Sequence, residues 1–234
     1  MEGISMFNLK GTTHRRGFLG SVAAGAALGI TSLTSPFRLM AGSNNLHPEP
    51  NGGEFEDWLN KINGKHRQVF DAPSANSGFP LAWARIFLMT NKAIGVDEKD
   101  CTSVVVLRHD AIPLAMGHTL WEKYKFGEVF KITDKVTNAP AVRNPYWQPK
   151  PGELVLPDMS VDELLNSGVL LGVCDVAITL YSSHVAQSMK MDAAEVKKDW
   201  ISGVFPGIQI LPSGVLAVNR AQEHGCTYCY AGEG

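Results

Sequence analysis

Four cysteines and a few histidines carry most of the chemistry open to this chain. Cys174 follows the apolar run VLLGV and stands where a helical pattern begins at Asp175. A thiol at a helix start meets unpaired amides and the positive end of the helix dipole, which favour the thiolate and so a nucleophile. The carboxylate of Asp175 next door works the other way and favours the neutral thiol. Cys174 is equally readable as inert core, since free cysteine is among the most buried residue types. His109 holds the matching position after VVVLR and serves there either as a general base or as a hydrogen-bonded structural residue. Arg108 beside it is either an anion contact or a solvated side chain. A third group is His224, Cys226 and Cys229. The CxxC spacing suits a local disulfide, a redox pair or half of a metal site that His224 could extend. Haem attachment would need histidine at 230, where the residue is Tyr230, and no second CxxC completes a four-sulfur zinc site. Cys101 precedes its strand and belongs to the opposite rim from Cys174, so no bridge between them is expected.

The elements that must position these groups alternate between short β-branched runs and longer helical patterns, as in βα units with a mainly parallel sheet. Strands are expected at 66–70, 102–108, 169–174 and 207–211. The second of these is apolar nearly throughout, as strands covered on both faces are. Helices are expected at 81–94, where Ala82, Ile86, Met89 and Ala93 recur at helical spacing, and at 175–189, 193–200 and 215–223. Another is expected to be capped by Asp110, with Pro113 in its first turn, and to run to about Lys125. Its stripe of Ile112, Met116 and Leu120, with Trp121 and Tyr124 beside it, reads as core. Ser160 caps a short helix that Gly168 ends. The stretch 133–157 is rich in Pro and Asn and long for a connection, the mark of a functional lid or an interface element. Phe130, Tyr146 and Trp147 around it either meet a second subunit or fold back over the domain's own core. The fold class is α/β: a three-layer, open, mainly parallel sheet of about five strands with helices on both faces. In such sheets ligands bind beyond the carboxyl ends of the strands, the rim that His109 and Cys174 share.

Composition is ordinary for a folded domain, with 44% hydrophobic and 19% charged residues. The N-terminus is less ordinary. The pair Arg15-Arg16 precedes an uncharged run rich in Ala and Gly that is only moderately apolar, a layout that resembles a twin-arginine export signal over residues 1–41. Residues 42–54 read as a linker and 55–234 as one domain. Without Lys10, Arg15, Arg16, Arg38 and Glu2, the chain's 21 basic and 23 acidic residues become 17 and 22, a net charge of −5. That balance argues against nucleic acid as a partner. Neither a P-loop, a dinucleotide fingerprint nor a GxSxG elbow is present, which removes support from the common nucleotide and hydrolase readings.

The strand running into a cysteine at a helix start, VLLGVCDVAI, together with SVVVLRHDAIPLAMG, resembles the DsrE/DsrF-like family of bacterial sulfur-relay proteins, loosely over residues 55–225. The resemblance implies a persulfide carried on Cys174, no other cofactor, and assembly as a homotrimer or homohexamer. With the export signal it implies a periplasmic protein that meets the twin-arginine translocase in transit and no membrane after cleavage. His109 would then be a polar neighbour of the thiol, and Cys226 and Cys229 a resolving pair. Relay members work in the cytoplasm, so an exported relative would lack their partners, and the 133–157 stretch and the CTYC end are additions to the minimal pattern. Two other classes stay open on the same fold: a non-catalytic protein binding a small ligand or partner, and a metal carrier using His224, Cys226 and Cys229.

Overall fold

The structure is a computed structural model and describes residues 52–154 and 156–233. The twin-arginine segment and residues 42–51 of the expected linker lie outside the described residues, while the last linker residues, 52–54, already open a helix. The elements run α1 (Gly52–Leu59), β1 (His66–Ala72), α2 (Phe79–Ala93), β2 (Cys101–Leu107), α3 (His118–Tyr124), α4 (Phe126–Val129), α5 (Val161–Asn166), β3 (Leu170–Cys174), α6 (Asp175–Met189), α7 (Ala193–Ser202), β4 (Gln209–Leu211), α8 (Gly214–Glu223) and β5 (Thr227–Tyr230). Among the described residues the five strands form one all-parallel sheet in the order β4-β3-β2-β1-β5. No helix there is long and apolar enough to cross a membrane.

Period two along the strands divides the core. Val69, Val104 and Val106 face α1 and α8, packing with Phe55, Trp58, Ala217 and Ala221. Phe70, Val105, Leu107, Leu171 and Val173 face the other way, toward the larger cluster that holds Leu81, Trp121, Ile178 and Trp200. Phe70, Val105 and Leu171 lie level across the sheet, so the two faces stay in step. Burial on both sides is why β2 is apolar almost throughout, and the three-layer α/β architecture follows from it. The fifth strand is the CTYC region itself, pairing with β1 through Val69 and Tyr228.

The expected continuous helix up to Lys125 is broken. Residues His109–Ala115 form a 3-10 turn and α3 starts only at His118. Asp110 lies inside that turn, and the capping position is Arg108. Tertiary pairing overrides the local pattern here: Met116 bridges Val204 antiparallel, Phe205 donates to the Ala115 carbonyl at 2.9 Å, and Gly117 donates to the Gly203 carbonyl at 2.8 Å. The apolar stripe nonetheless remains core, with Ile112, Met116, Leu120, Trp121 and Tyr124 all buried. On α2 the spacing misleads in the other direction. Leu81 and Ala84 are buried, while Ile86, Met89 and Ala93 face outward.

The 133–157 stretch is strapped down over much of its length rather than free as a lid. Asn144 is fully buried and donates to the carbonyls of Pro113, Leu114 and Met116. Arg143 holds the buried Glu153 carboxylate at 2.8 and 2.6 Å, and the Asn144 amide donates to His118 Nδ1 at 3.2 Å. Gly127 lets the strap come close, since a Cβ there would stand 2.3 Å from the Ala141 backbone. Phe130 and Tyr146 are buried in the domain's own core and Trp147 stacks on Phe205 at 3.7 Å, so these aromatics fold back over the domain itself.

Burial and the Arg143 guanidinium pull the His118 imidazole below its usual value of 6.5. Below that pH the unfolded chain binds the proton more readily than the folded one, so this residue's contribution to stability falls as the pH drops through 6.5. Urea denaturation between about pH 5 and 7 should show that loss in the native protein and a flatter profile in His118→Gln. Equal slopes would remove His118 as the strap's acid-sensitive contact.

Candidate functional site

Ala72, Leu107 and Val173 are level at the carboxyl edge of the sheet, so the residues that follow them share one rim. Cys174 is the last residue of β3 and the N-cap of α6, and its Sγ accepts from the Ala177 amide at 3.3 Å. A sulfur thus fills a role more often given to Ser, Thr, Asp or Asn. It is 6% exposed and packs with the larger core cluster. Asp175 does not face it as an uncompensated charge. Lys197 from α7 reaches both carboxylate oxygens, at 3.0 and 3.1 Å, with both side chains about nine-tenths buried.

His109 stands on the same rim as expected, but its ring is engaged elsewhere. Its backbone has φ of +51°, a left-handed conformation. Its Nδ1 is 3.3 Å from the Tyr181 hydroxyl and 3.3 Å from the Asp110 carboxylate, and Tyr181 itself donates to Asp110. Burial and that hydrogen bond push the Tyr181 phenol well above its ordinary range. Tyr181 lies two turns beyond Cys174 along α6, about 10 Å at 1.5 Å per residue. Among the described residues no hydrogen bond joins His109 to Cys174, so the rim holds a thiol and a His/Tyr/Asp group side by side rather than a nucleophile and base in contact.

Arg108 is neither a free anion contact nor a solvated side chain. Its Nε donates to Asp71 Oδ1 at 2.6 Å and its Nη2 to Oδ2 at 2.9 Å. The Tyr228 hydroxyl donates to the same Oδ2 at 2.9 Å. The group ties the ends of β2, β1 and β5 together, and the hydrogen bond to Asp71 raises the Arg108 pKa further. Gly214 at the start of α8 makes room for the arginine stem, since a Cβ there would be 2.6 Å from Arg108 Cβ.

The terminal pair is placed differently from any local CxxC chemistry. Cys226 belongs to the core cluster under α1 and α8, whereas Cys229 packs on the opposite face of the sheet. An extended strand sends residues three apart to opposite sides, and all four cysteines are free thiols. Burial pushes the Cys226 thiol up to about 11, against a smaller opposing effect of Arg67, and burial raises Cys229 as well. His224 ends α8, and among the described residues no three His, Cys, Asp or Glu side chains gather where a metal would be held. Cys101 opens β2 at the amino edge, away from Cys174, as expected.

Asp71, Tyr181, Lys197 and Tyr228 were not singled out from the sequence. Two of them leave a trace there: Asp71 interrupts the apolar end of β1, and Lys197 falls between Val196 and Trp200 on the inward face of its helix. A charge at an inward position demands a partner. Compared with known proteins, the chain matches no family model and no curated protein.

Breaking the Asp175 and Lys197 pair from one side should be costly. Lys197→Met is expected to lower stability by about 3–5 kcal/mol, and adding Asp175→Leu should recover most of it, as read from urea unfolding. A small loss in the single variant would mean that the pair is not a fixed part of the rim.

Proposed function

We propose that the chain is an exported carrier of sulfane sulfur, with Cys174 as the acceptor thiol. The observation that carries this reading is the position of the Cys174 sulfur, at a strand end and helix start with an amide of α6 directed onto it. The ion pair of Asp175 with Lys197 adds support, because it offsets the neighbouring charge that would oppose a thiolate. The resemblance to DsrE/DsrF-like proteins points the same way. In the reaction the Cys174 thiolate attacks the outer sulfur of a polysulfide or persulfide donor. The new bond is Cys174 Sγ to that sulfur, the donor's sulfur-sulfur bond breaks, and the shortened donor leaves as a thiolate. An acceptor thiolate then takes the outer sulfur in the same way and returns Cys174 to its starting state. No oxidant is consumed, because each thiolate formed replaces one used. Cys174 is only slightly exposed, which favours a small inorganic donor over a bulky thiol. His109, Tyr181 and Asp110 act as polar neighbours of the rim rather than as a base on the sulfur.

The resemblance also implies a closed homotrimer or homohexamer, and the outward apolar residues of α2 favour self-association. Phe79 and Ile86 are 49% and 41% exposed on that helix. Light scattering should find an oligomer that Ile86→Glu dissociates. A native protein that is monomeric would overturn the assembly, and an oligomer unaffected by Ile86→Glu would move the interface off α2.

The sulfur reading is tested by intact mass after exposure to polysulfide. The native protein should gain a dithiothreitol-sensitive adduct of about 32 Da that Cys174→Ser lacks. Equal adducts on both proteins would overturn it.

A further inference from the structure

We propose that a cavity at the amino edge of the sheet, on the opposite rim from Cys174, binds a small monocarboxylate with a short apolar body. The cavity has a volume of about 440 Å³, within the range of small-molecule sites. Its floor is the start of β2, where Cys101 and Ser103 point to the same face. One wall is α2, which presents Arg85, Leu88, Met89 and Lys92 at positions i, i+3, i+4 and i+7, a single helical face. The opposite wall is the end of α5 and the turn at Gly168.

Two polar groups in this cavity are left without partners. Ser103 is 1% exposed, and its hydroxyl has no hydrogen bond among the described residues. The adjacent Thr102, facing the other side of the sheet, shows the contrast: its hydroxyl donates to the Asn63 carbonyl at 2.5 Å and accepts from the Asn63 amide. The buried Nε of Arg85 also lacks an acceptor, and among the described residues Arg85 makes no ion pair. A buried donor without an acceptor costs free energy that a bound acceptor restores. A carboxylate meets both needs, since it accepts from a guanidinium fork and from a hydroxyl together.

The surrounding charges narrow the ligand further. Lys92 is already paired with Glu98, and Arg85 adds a weaker Coulombic pull on that carboxylate without a close ion pair to it, so of the two cations lining the cavity Arg85 is the one with a hydrogen-bonding position open to an anion. Glu98 and the exposed Glu163 line the cavity as well, and a second carboxylate would meet their repulsion. Cys101, whose thiol burial and nearby Asp100 push up, stays neutral and does not oppose a single negative charge. Leu88, Met89 and Val96 supply the apolar surface for the rest of the molecule.

The test is titration of the full-length chain with hexanoate and with hexanamide, followed through the backbone amide signals of Ser103 and Gly168. Hexanoate should saturate those shifts below about 10 mM, and hexanamide should bind about tenfold more weakly. Arg85→Gln and Ser103→Ala, the second nearly the same shape as the native residue, should each weaken hexanoate about tenfold. Cys174→Ser should bind it as the native protein does, which separates this site from the sulfur reading. Absence of saturation, or equal affinity in Arg85→Gln, would overturn the proposal.

Discussion

Beyond its half-buried first residue, Cys101, β2 is almost closed to solvent on both faces. From Thr102 to Leu107 no residue is more than 6% exposed, and the backbone is paired on one edge by β1 and on the other by β3. A strand enclosed in this way can carry almost no polar side chain along its length, because each would need a partner supplied by the protein. Polar chemistry is therefore displaced to its two ends. Arg108 and His109 come at the carboxyl end, and Cys101 and Ser103 at the amino end. The polar groups at the two ends of β2 follow from that single constraint.

At the carboxyl rim the charges are held in pairs that link different elements. Asp71, Arg108 and Tyr228 join three adjacent strands, and Asp175 with Lys197 joins two consecutive helices. Desolvating a single ion costs several kcal/mol even after relaxation, so each of these groups is tied to a geometry in which the opposite charge is present. The Cys174 sulfur accepts from the Ala177 amide in the first turn of α6, the helix whose Asp175 is paired with Lys197. The amino rim is the reverse case, since the Ser103 hydroxyl and the Arg85 Nε have no hydrogen-bond partner among the described residues.

Much of the fold was legible because its two central strands, β2 and β3, are short apolar runs and several of its helices end near glycines. Gly168 and Gly225 adopt the left-handed conformation that closes α5 and α8, and 175–189 is helical over the expected span. The failures share a physical cause, which is that local pattern cannot see what a residue packs against. The run from Ile112 to Tyr124 has the right spacing for one helix, yet the bridge between Met116 and Val204 divides it. The outward stripe on α2 and the inward one share a single period, and only the neighbouring sheet decides which is covered. At the site, the shared rim of His109 and Cys174 could be read from the topology of parallel strands. The partners of His109 could not, because Tyr181 and Asp110 meet only once α6 is docked. The CTYC sequence was read for its thiols and not for its Thr and Tyr residues, whose preference for strands is what places the two sulfurs on opposite faces.

The pairing of β1 with β5 also has a consequence in time. Gln68 and Thr227 are partners separated by 159 positions. At common rates of synthesis, roughly 8 to 30 s pass between the making of one and of the other. Through that interval the outer edge of β1 has no neighbour, and an unpaired edge is a template for any other extended chain. A nascent molecule is thus most vulnerable to aggregation after most of its core residues have been made, and a chaperone that shields an edge rather than an apolar surface would match that hazard.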